Sequence, residues 1–582
     1  MPHIPRFITR KSGLRSLIFA LAWSALGSPA AFAQSASTLT GVVRNAVGEP
    51  AAGAFVKIRS GEWSVSYMVV TQAGGRYTSP SLEPGDYVVQ AFGDGYASKP
   101  QGPVQVRKGE ATAADVVMND AQKMYSPPKR FTEGDYEAMM PIAEAKNLLL
   151  DNCRVCHSAA NFVSARHNRE GWENTVALMG YFLNSNVPLQ QKYNSSSGAH
   201  AASLSERELG EIVDYLSANF GPDTPPVEPQ PRDANRNLSA ESYKGSNFAS
   251  MALDVQYNGG TVHVGAIAFD PAGNLWVSEK GSNALGLLNT STLKYTRIVS
   301  PPGRYRENMF GAVKVDPNGN VWFTSNDGYD AKWFVYDPRV KKVVDSYNVP
   351  GPNHPTSDVL FATLIFPPNK TVWSVSSASD RLIKLDLATR KSSNFPLREA
   401  THSIGMALGG DKMVWYAADY DNQMVRVDPT TGKKTAYDFP SSNSDPKHMD
   451  SDSAGNLWTI SGSYGRLVEI DPHTAKMTII PLPTDTPGKA LAADRAGNQI
   501  WFAQDDLELP PPLYASPRPA PNSAQPWVGV IGTFNPKTSK FETYPIPDAD
   551  TPAWMLAVDT KHPNRVWWNT RSGRIGYTEA IE

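Results

Sequence analysis

Seven tryptophans, each following a similar turn, constrain this chain more than any other feature. Asp270-Pro-Ala-Gly-Asn-Leu-Trp276, Asp316-Pro-Asn-Gly-Asn-Val-Trp322 and Asp452-Ser-Ala-Gly-Asn-Leu-Trp458 are near copies of one turn entering one strand. Trp373, Trp415, Trp501 and Trp567 occupy looser versions of the same frame, so that successive tryptophans stand 46, 51, 42, 43, 43 and 66 residues apart. A repeat of this length is the size of a four-stranded propeller blade, which cannot bury its faces alone and must stack on its neighbours. Seven copies predict a seven-bladed β-propeller over residues 250–582. The strand endings Tyr336-Asp337-Pro338, Val427-Asp428-Pro429, Ile470-Asp471-Pro472 and Phe534-Asn535-Pro536 read as the outer hairpins of blades. The longest spacing holds Pro510-Pro511-Pro512 and a proline-rich run from Pro517 to Pro526, an inserted loop in the sixth blade.

In such a frame the strand nearest the axis precedes each turn, so residues ten to thirteen before each tryptophan line one mouth of the channel. They are His263, Met309, His402, His448, Lys489 and Trp554, with His354 nearby. Imidazoles converging on an axis suit a divalent metal or a substrate. The competing reading of each is a strand-end surface residue.

The N-terminal half differs. Arg6, Arg10, Lys11 and Arg15 precede the apolar run Leu17 to Leu26 and the small-x-small pattern Ala31-Phe32-Ala33, a signal peptide over 1–33 of the general secretory type. A periplasmic or secreted protein is expected, with no membrane span in the mature chain. Residues 38–120 alternate apolar and polar positions between Gly, Pro and Asp turns, which predicts a small β-sandwich. Residues 135–221 change to helical spacing, and Ser205-Glu-Arg-Glu208 is a capping box that starts a helix near Ser205. Five prolines between Pro222 and Pro231 begin a linker over 222–249. Lys plus Arg total 55 against 57 Asp plus Glu, a net charge of -2, which argues against a nucleic-acid partner.

The chain's two cysteines lie together in Cys153-Arg-Val-Cys156-His157. Thiols at this spacing reach both vinyl groups of a haem from one helical turn, and the adjacent histidine falls beneath the iron. One covalently bound haem c per chain is expected, attached through Cys153 and Cys156. A disulfide and a zinc site are the alternatives. The histidine that follows disfavours the first, and the lack of a second Cys or His pair at ligand spacing disfavours the second.

Three resemblances follow from these motifs. Leu39 to Val56, Gly75-Arg-Tyr77 and Leu82 to Val89 resemble the carboxypeptidase regulatory-like domain, which implies an accessory folding or docking module. Cys153 to Phe220, ending in Ile212-Val-Asp-Tyr-Leu216, resembles class I cytochrome c domains. That likeness implies His157 as proximal iron ligand and a methionine as distal ligand, for which Met179 is the candidate, with His167 and His200 as alternatives. The Gly-Asn-Leu-Trp repeats resemble the virginiamycin B lyase-like propellers, which use a His, a Glu and a divalent metal near the channel mouth to open an ester by elimination. The corresponding acid is retained only as Glu279; the equivalent positions are Ser325, Ser376, Ala418, Ser461, Gln504 and Thr570.

The expected architecture is therefore mainly β: a β-sandwich, an all-α cytochrome c-like domain and a seven-bladed propeller. The leading expectation is electron transfer, or an oxidoreductase acting on an unknown small molecule or a redox partner protein. A metal-dependent carbon-oxygen lyase and a non-catalytic binding protein are the alternatives. His263, Glu279, His402 and His448 are the candidate catalytic residues, with a divalent metal possible in the channel.

Overall fold

The architecture comes from a computed structural model. It describes residues 36–121 apart from 61–64 and 95; 140–153, 162, 167–184, 204–224, 240 and 243–257; and, within 260–581, all but 263, 280–283, 300–311, 326–331, 349–365, 377–380, 397–404, 419–422, 441–445, 462–464, 483–487, 505–529, 547–552, 563 and 571–573. The chain is mainly β, with three longer helices among the described residues.

Seven small sheets follow one another from Val264 to the C-terminus. Each has four strands except the third, which shows three among the described residues. The seventh is completed from a distance: Phe248–Leu253 pairs antiparallel with Ile575–Ala580, with Met251 opposite Tyr577. Apolar clusters join each sheet to the next. Trp276 and Leu285 of the first meet Val321 and Phe334 of the second, and Trp333 meets Ile383 of the third. Trp373 meets Val414, Trp415 meets Val468, Trp458 meets Phe502 and Trp501 meets Val566. The last step returns to the first sheet, where Trp567 and Ile575 pack with Val264 and Leu275. All seven frame tryptophans are at most 3% exposed. Burial of so much aromatic surface is the main force holding the blades together.

The repeated turn owes its sequence to hydrogen bonding. Asp270 Oδ1 accepts from the Asn274 backbone N–H at 2.9 Å, and its Oδ2 accepts from the Trp276 indole N–H at 2.9 Å. Asp316 does the same for Asn320 and Trp322, and Asp452 for Asn456 and Trp458. Gly273, at φ +80°, supplies the left-handed step of the turn. Thus one carboxylate closes the turn and satisfies a buried donor. The expected outer hairpins are also present. In each, an Asp or Asn caps the turn, as Asp428 accepts from the Thr430 backbone N–H. The residue four positions later takes positive φ: Leu293, Lys341, Arg390, Ala475 and Ser539 at 54° to 59°, and Gly432 at 74°.

The sandwich is not a separate bead. Its strand Val65–Val70 pairs antiparallel with the other edge of Phe248–Leu253, with Ala249 opposite Val69. One sheet of ten strands therefore runs from the sandwich through the seventh blade. The strand that completes the blade is covered on both edges, which removes an exposed ladder.

The helices are α1 (Glu144–Cys153), α2 (Arg169–Asn184) and α3 (Glu206–Asn219). The capping box forms as expected: the Glu208 backbone N–H donates to Ser205 Oγ, and the Ser205 backbone N–H to Glu208 Oε2. Leu149, Trp172, Val176, Ile212, Leu216 and Phe220 share one apolar cluster. The Trp172 indole donates to the Phe220 carbonyl at 3.2 Å. Among the described residues no helix is long and apolar enough to cross a membrane.

Candidate functional site at the channel mouth

The inner strands of four blades carry register breaks at the same end. In the fifth blade the pairing shifts between Pro446 and Met449, in the sixth between Gly488 and Ala490, and in the seventh between Ala553 and Met555. The residues at these bulges are Lys447 and His448, then Lys489, then Trp554. A bulge locally bends the strand and re-aims its side chains, which is why bulges recur at rims and beside sites. Three of the residues placed at the mouth by their spacing from the tryptophans thus share one backbone device. Beside the break in the fifth blade, Thr459 Oγ1 donates to the Lys447 carbonyl at 2.9 Å.

His448 and Trp554 meet edge to face, with ring centroids 6.4 Å apart. Nε2 of His448 is buried and has no hydrogen-bond partner among the described residues. Burial, reinforced by the charge of Lys447, lowers the imidazole to about 4. The ring is therefore neutral at physiological pH.

A second polar group lies further along the same strands, and the sequence frame did not reveal it. Asp450 Oδ1 accepts from Arg495 Nη2 at 2.9 Å and its Oδ2 from the Ala493 N–H at 3.0 Å, joining the fifth and sixth blades. Lys314, exposed on the second blade's inner strand, lies within reach of the charges of Asp450 and Arg495. Its residue type alone gave no signal, since Lys314 falls only eight residues before Trp322.

The first blade has the same bulge, between Val264 and Ile267, but it carries Gly265 and Ala266. Glu279 is 4% exposed and engaged within the blade. The Tyr295 hydroxyl donates to Oε1 at 2.5 Å and Arg297 Nη2 to Oε2 at 2.6 Å. Tyr295 reaches it across the intervening strand because Gly286 leaves the space: a Cβ there would lie 1.9 Å from the hydroxyl. His263, Met309, His354 and His402 lie outside the described residues.

In the helical segment, Cys153 ends α1, half-buried against the α1–α3 cluster. Met179 falls within α2, although its side chain is outside the described residues, as are Cys156, His157 and His200. His167 packs edge to face on Trp172 at 4.8 Å.

Comparison with known proteins bears on the β regions. Residues 38–119 match the carboxypeptidase regulatory-like domain, and residues 254–507 match the virginiamycin B lyase family. No curated protein matches the chain. Among solved structures, a streptogramin B lyase is 17% identical with a TM-score of 0.46, over 57% of this chain and 98% of that one. The virginiamycin B lyase from Staphylococcus aureus, as its selenomethionine form, is 18% identical with a TM-score of 0.46, over 57% of this chain and all of that one. The chain thus joins a carboxypeptidase regulatory-like domain to a virginiamycin B lyase-like β-propeller.

Proposed function

We propose that this chain is a ligand-binding propeller protein whose site is the channel mouth formed by the fifth to seventh blades. The observation that carries the reading is the bulge repeated in three successive inner strands, which presents His448, Lys489 and Trp554. A neutral imidazole, an indole and an ammonium offer a hydrogen-bonding ring nitrogen, an aromatic surface and a positive charge. Together they suit a planar ligand with an acceptor or an anionic group.

The proposal extends to a c-type haem, held by Cys153 and Cys156 with His157 as proximal ligand. Cys153 fits that role, since it ends a helix against an apolar cluster able to shield a porphyrin edge. Met179, seven residues after Trp172 in α2, falls at a spacing that returns to the same helix face, and is the proposed distal ligand. Bound haem supplies a one-electron couple, which makes electron exchange with the propeller's ligand or with a partner protein the proposed activity. Export through residues 1–33 belongs to the same reading, because haem attachment would follow secretion.

The lyase reading has one observation in its favour, the family match over 254–507. Against it stands Glu279, whose two oxygens are already taken by Tyr295 and Arg297. Acid-acetone extraction of purified protein separates the readings first: haem that stays with the polypeptide supports attachment, and colour lost to the solvent removes it. Ester-opening activity with added divalent metal that vanishes in Glu279→Gln, in a variant that stays folded, would restore the lyase.

A further inference from the structure

Where the sandwich meets the propeller there is a cleft of about 190 Å³. Val65, Tyr67 and Tyr87 come from the sandwich side, and Leu253, Asp254 and Tyr295 from the propeller side. Glu83 stands exposed at its rim. Most of the polar groups have partners. The Tyr295 hydroxyl donates to Glu279, the Tyr87 hydroxyl donates to the Glu83 carbonyl at 2.8 Å, and Asp254 accepts from Arg574 at 2.8 Å.

Two groups do not. Tyr67 is 5% exposed, and its hydroxyl bonds to nothing among the described residues. Tyr67, Tyr87 and Glu83 line the same cleft, which puts two phenols and one carboxylate-bearing residue around it. Burial raises the Tyr67 phenol well above the ordinary tyrosine range and keeps it a neutral hydroxyl. The Glu83 carboxylate forms no ion pair among the described residues. The nearby guanidiniums are committed, Arg574 to Asp254 and Arg297 to Glu279. An aromatic recess with an unneutralised carboxylate at its rim attracts a cation, through the carboxylate and through the ring faces. At about 190 Å³ it falls below the roughly 300–1,000 Å³ of sites for drug-sized ligands, so it suits only a small molecule.

We propose that this interdomain cleft binds a small organic ammonium ion, with Glu83 as counter-ion and the Tyr67 hydroxyl as acceptor of an ammonium N–H. The site is separate from the channel mouth and touches both the sandwich and the first blade. Titration calorimetry on the full chain tests it with butylammonium, using butanol and butyrate as neutral and anionic probes of the same shape. Butylammonium should bind, butyrate should not, and butanol should bind at least tenfold more weakly. Glu83→Gln, an exposed change that leaves the core intact, should weaken butylammonium about tenfold, and Tyr67→Phe should weaken it less. Asp345→Asn, on the remote second blade, should change nothing. Equal binding of butylammonium and butanol, no binding of butylammonium, or an undiminished affinity in Glu83→Gln would overturn the proposal. An equal loss in Asp345→Asn would also overturn it, by showing attraction to overall charge.

Discussion

The first and fifth blades share a turn, a tryptophan and a bulge, yet they use them differently. Asp270 with Trp276 and Asp452 with Trp458 form the same bonds, 2.9 Å in each case. Both inner strands break register near their first residues. The first blade places Gly265 and Ala266 there, and locks its acid into the wall through Tyr295 and Arg297. The fifth places Lys447 and His448 there, with a ring nitrogen that has no partner among the described residues. The repeat builds the scaffold, while the residues at the bulge decide whether a blade serves as wall or site.

Four experiments challenge that contrast. The largest effect should come from Glu279→Ala, which leaves Arg297 without its partner and the Tyr295 hydroxyl without its acceptor. With the carboxylate 3% and the guanidinium 27% exposed, a loss of about 2–4 kcal/mol is expected, measured by thermal unfolding. His448→Gln should leave the unfolding temperature nearly unchanged at neutral pH. If the two variants are equally stable, the wall-and-site distinction fails.

Asp452→Ala removes both the turn cap and the indole acceptor, and should cost about 1–3 kcal/mol in denaturant unfolding. Asp494→Ala is the informative companion, because the Trp501 indole and Asp494 Oδ2 lack partners among the described residues. Its cost should be smaller, limited to the turn bonds to Ala496 and Gly497.

The pH dependence of stability comes next. His448 is lowered in the fold relative to the unfolded chain, so the unfolded state binds the extra proton between about 4 and the ordinary histidine value near 6.5. Stability from this group is complete above that window and declines as pH falls through it. His448→Gln should flatten the difference between unfolding temperatures at pH 7 and pH 5, and an unaltered difference would show that the imbalance lies elsewhere.

The smallest effect is a gain. Ala475 sits at φ +59° in the outer hairpin of the fifth blade, where the fourth blade has Gly432. Ala475→Gly relieves that conformation and should stabilise by up to about 1 kcal/mol, visible as a small rise in unfolding temperature. A fall would mean that the methyl group's packing outweighs the strain.

Much of the scaffold was legible because its signals are local. The tryptophan spacing marks the sheets, the capping box marks the start of α3, and the Asp-Pro endings mark outer hairpins. The frame also picked out His448, Lys489 and Trp554, each of which stands at an inner-strand bulge. What the residues did not reveal depends on distant parts of the chain. That Phe248–Leu253 would pair with both Val65–Val70 and Ile575–Ala580 follows from edges that meet only after folding. The partners of Glu279 were not legible because they lie on other strands of the blade, and the gap that admits Tyr295 depends on Gly286.

A ligand at the mouth of the fifth to seventh blades that exchanges electrons with the proposed haem would reveal itself in reduction of that haem. The measurement follows haem reduction anaerobically in the full chain, on adding the small-molecule fraction of an exported-protein extract. Wild type and Trp554→Ala are compared at equal haem content. Reduction is expected in wild type, with a rate at least tenfold lower in the variant and direct reduction by dithionite unchanged. Equal rates in the two proteins would contradict such an exchange.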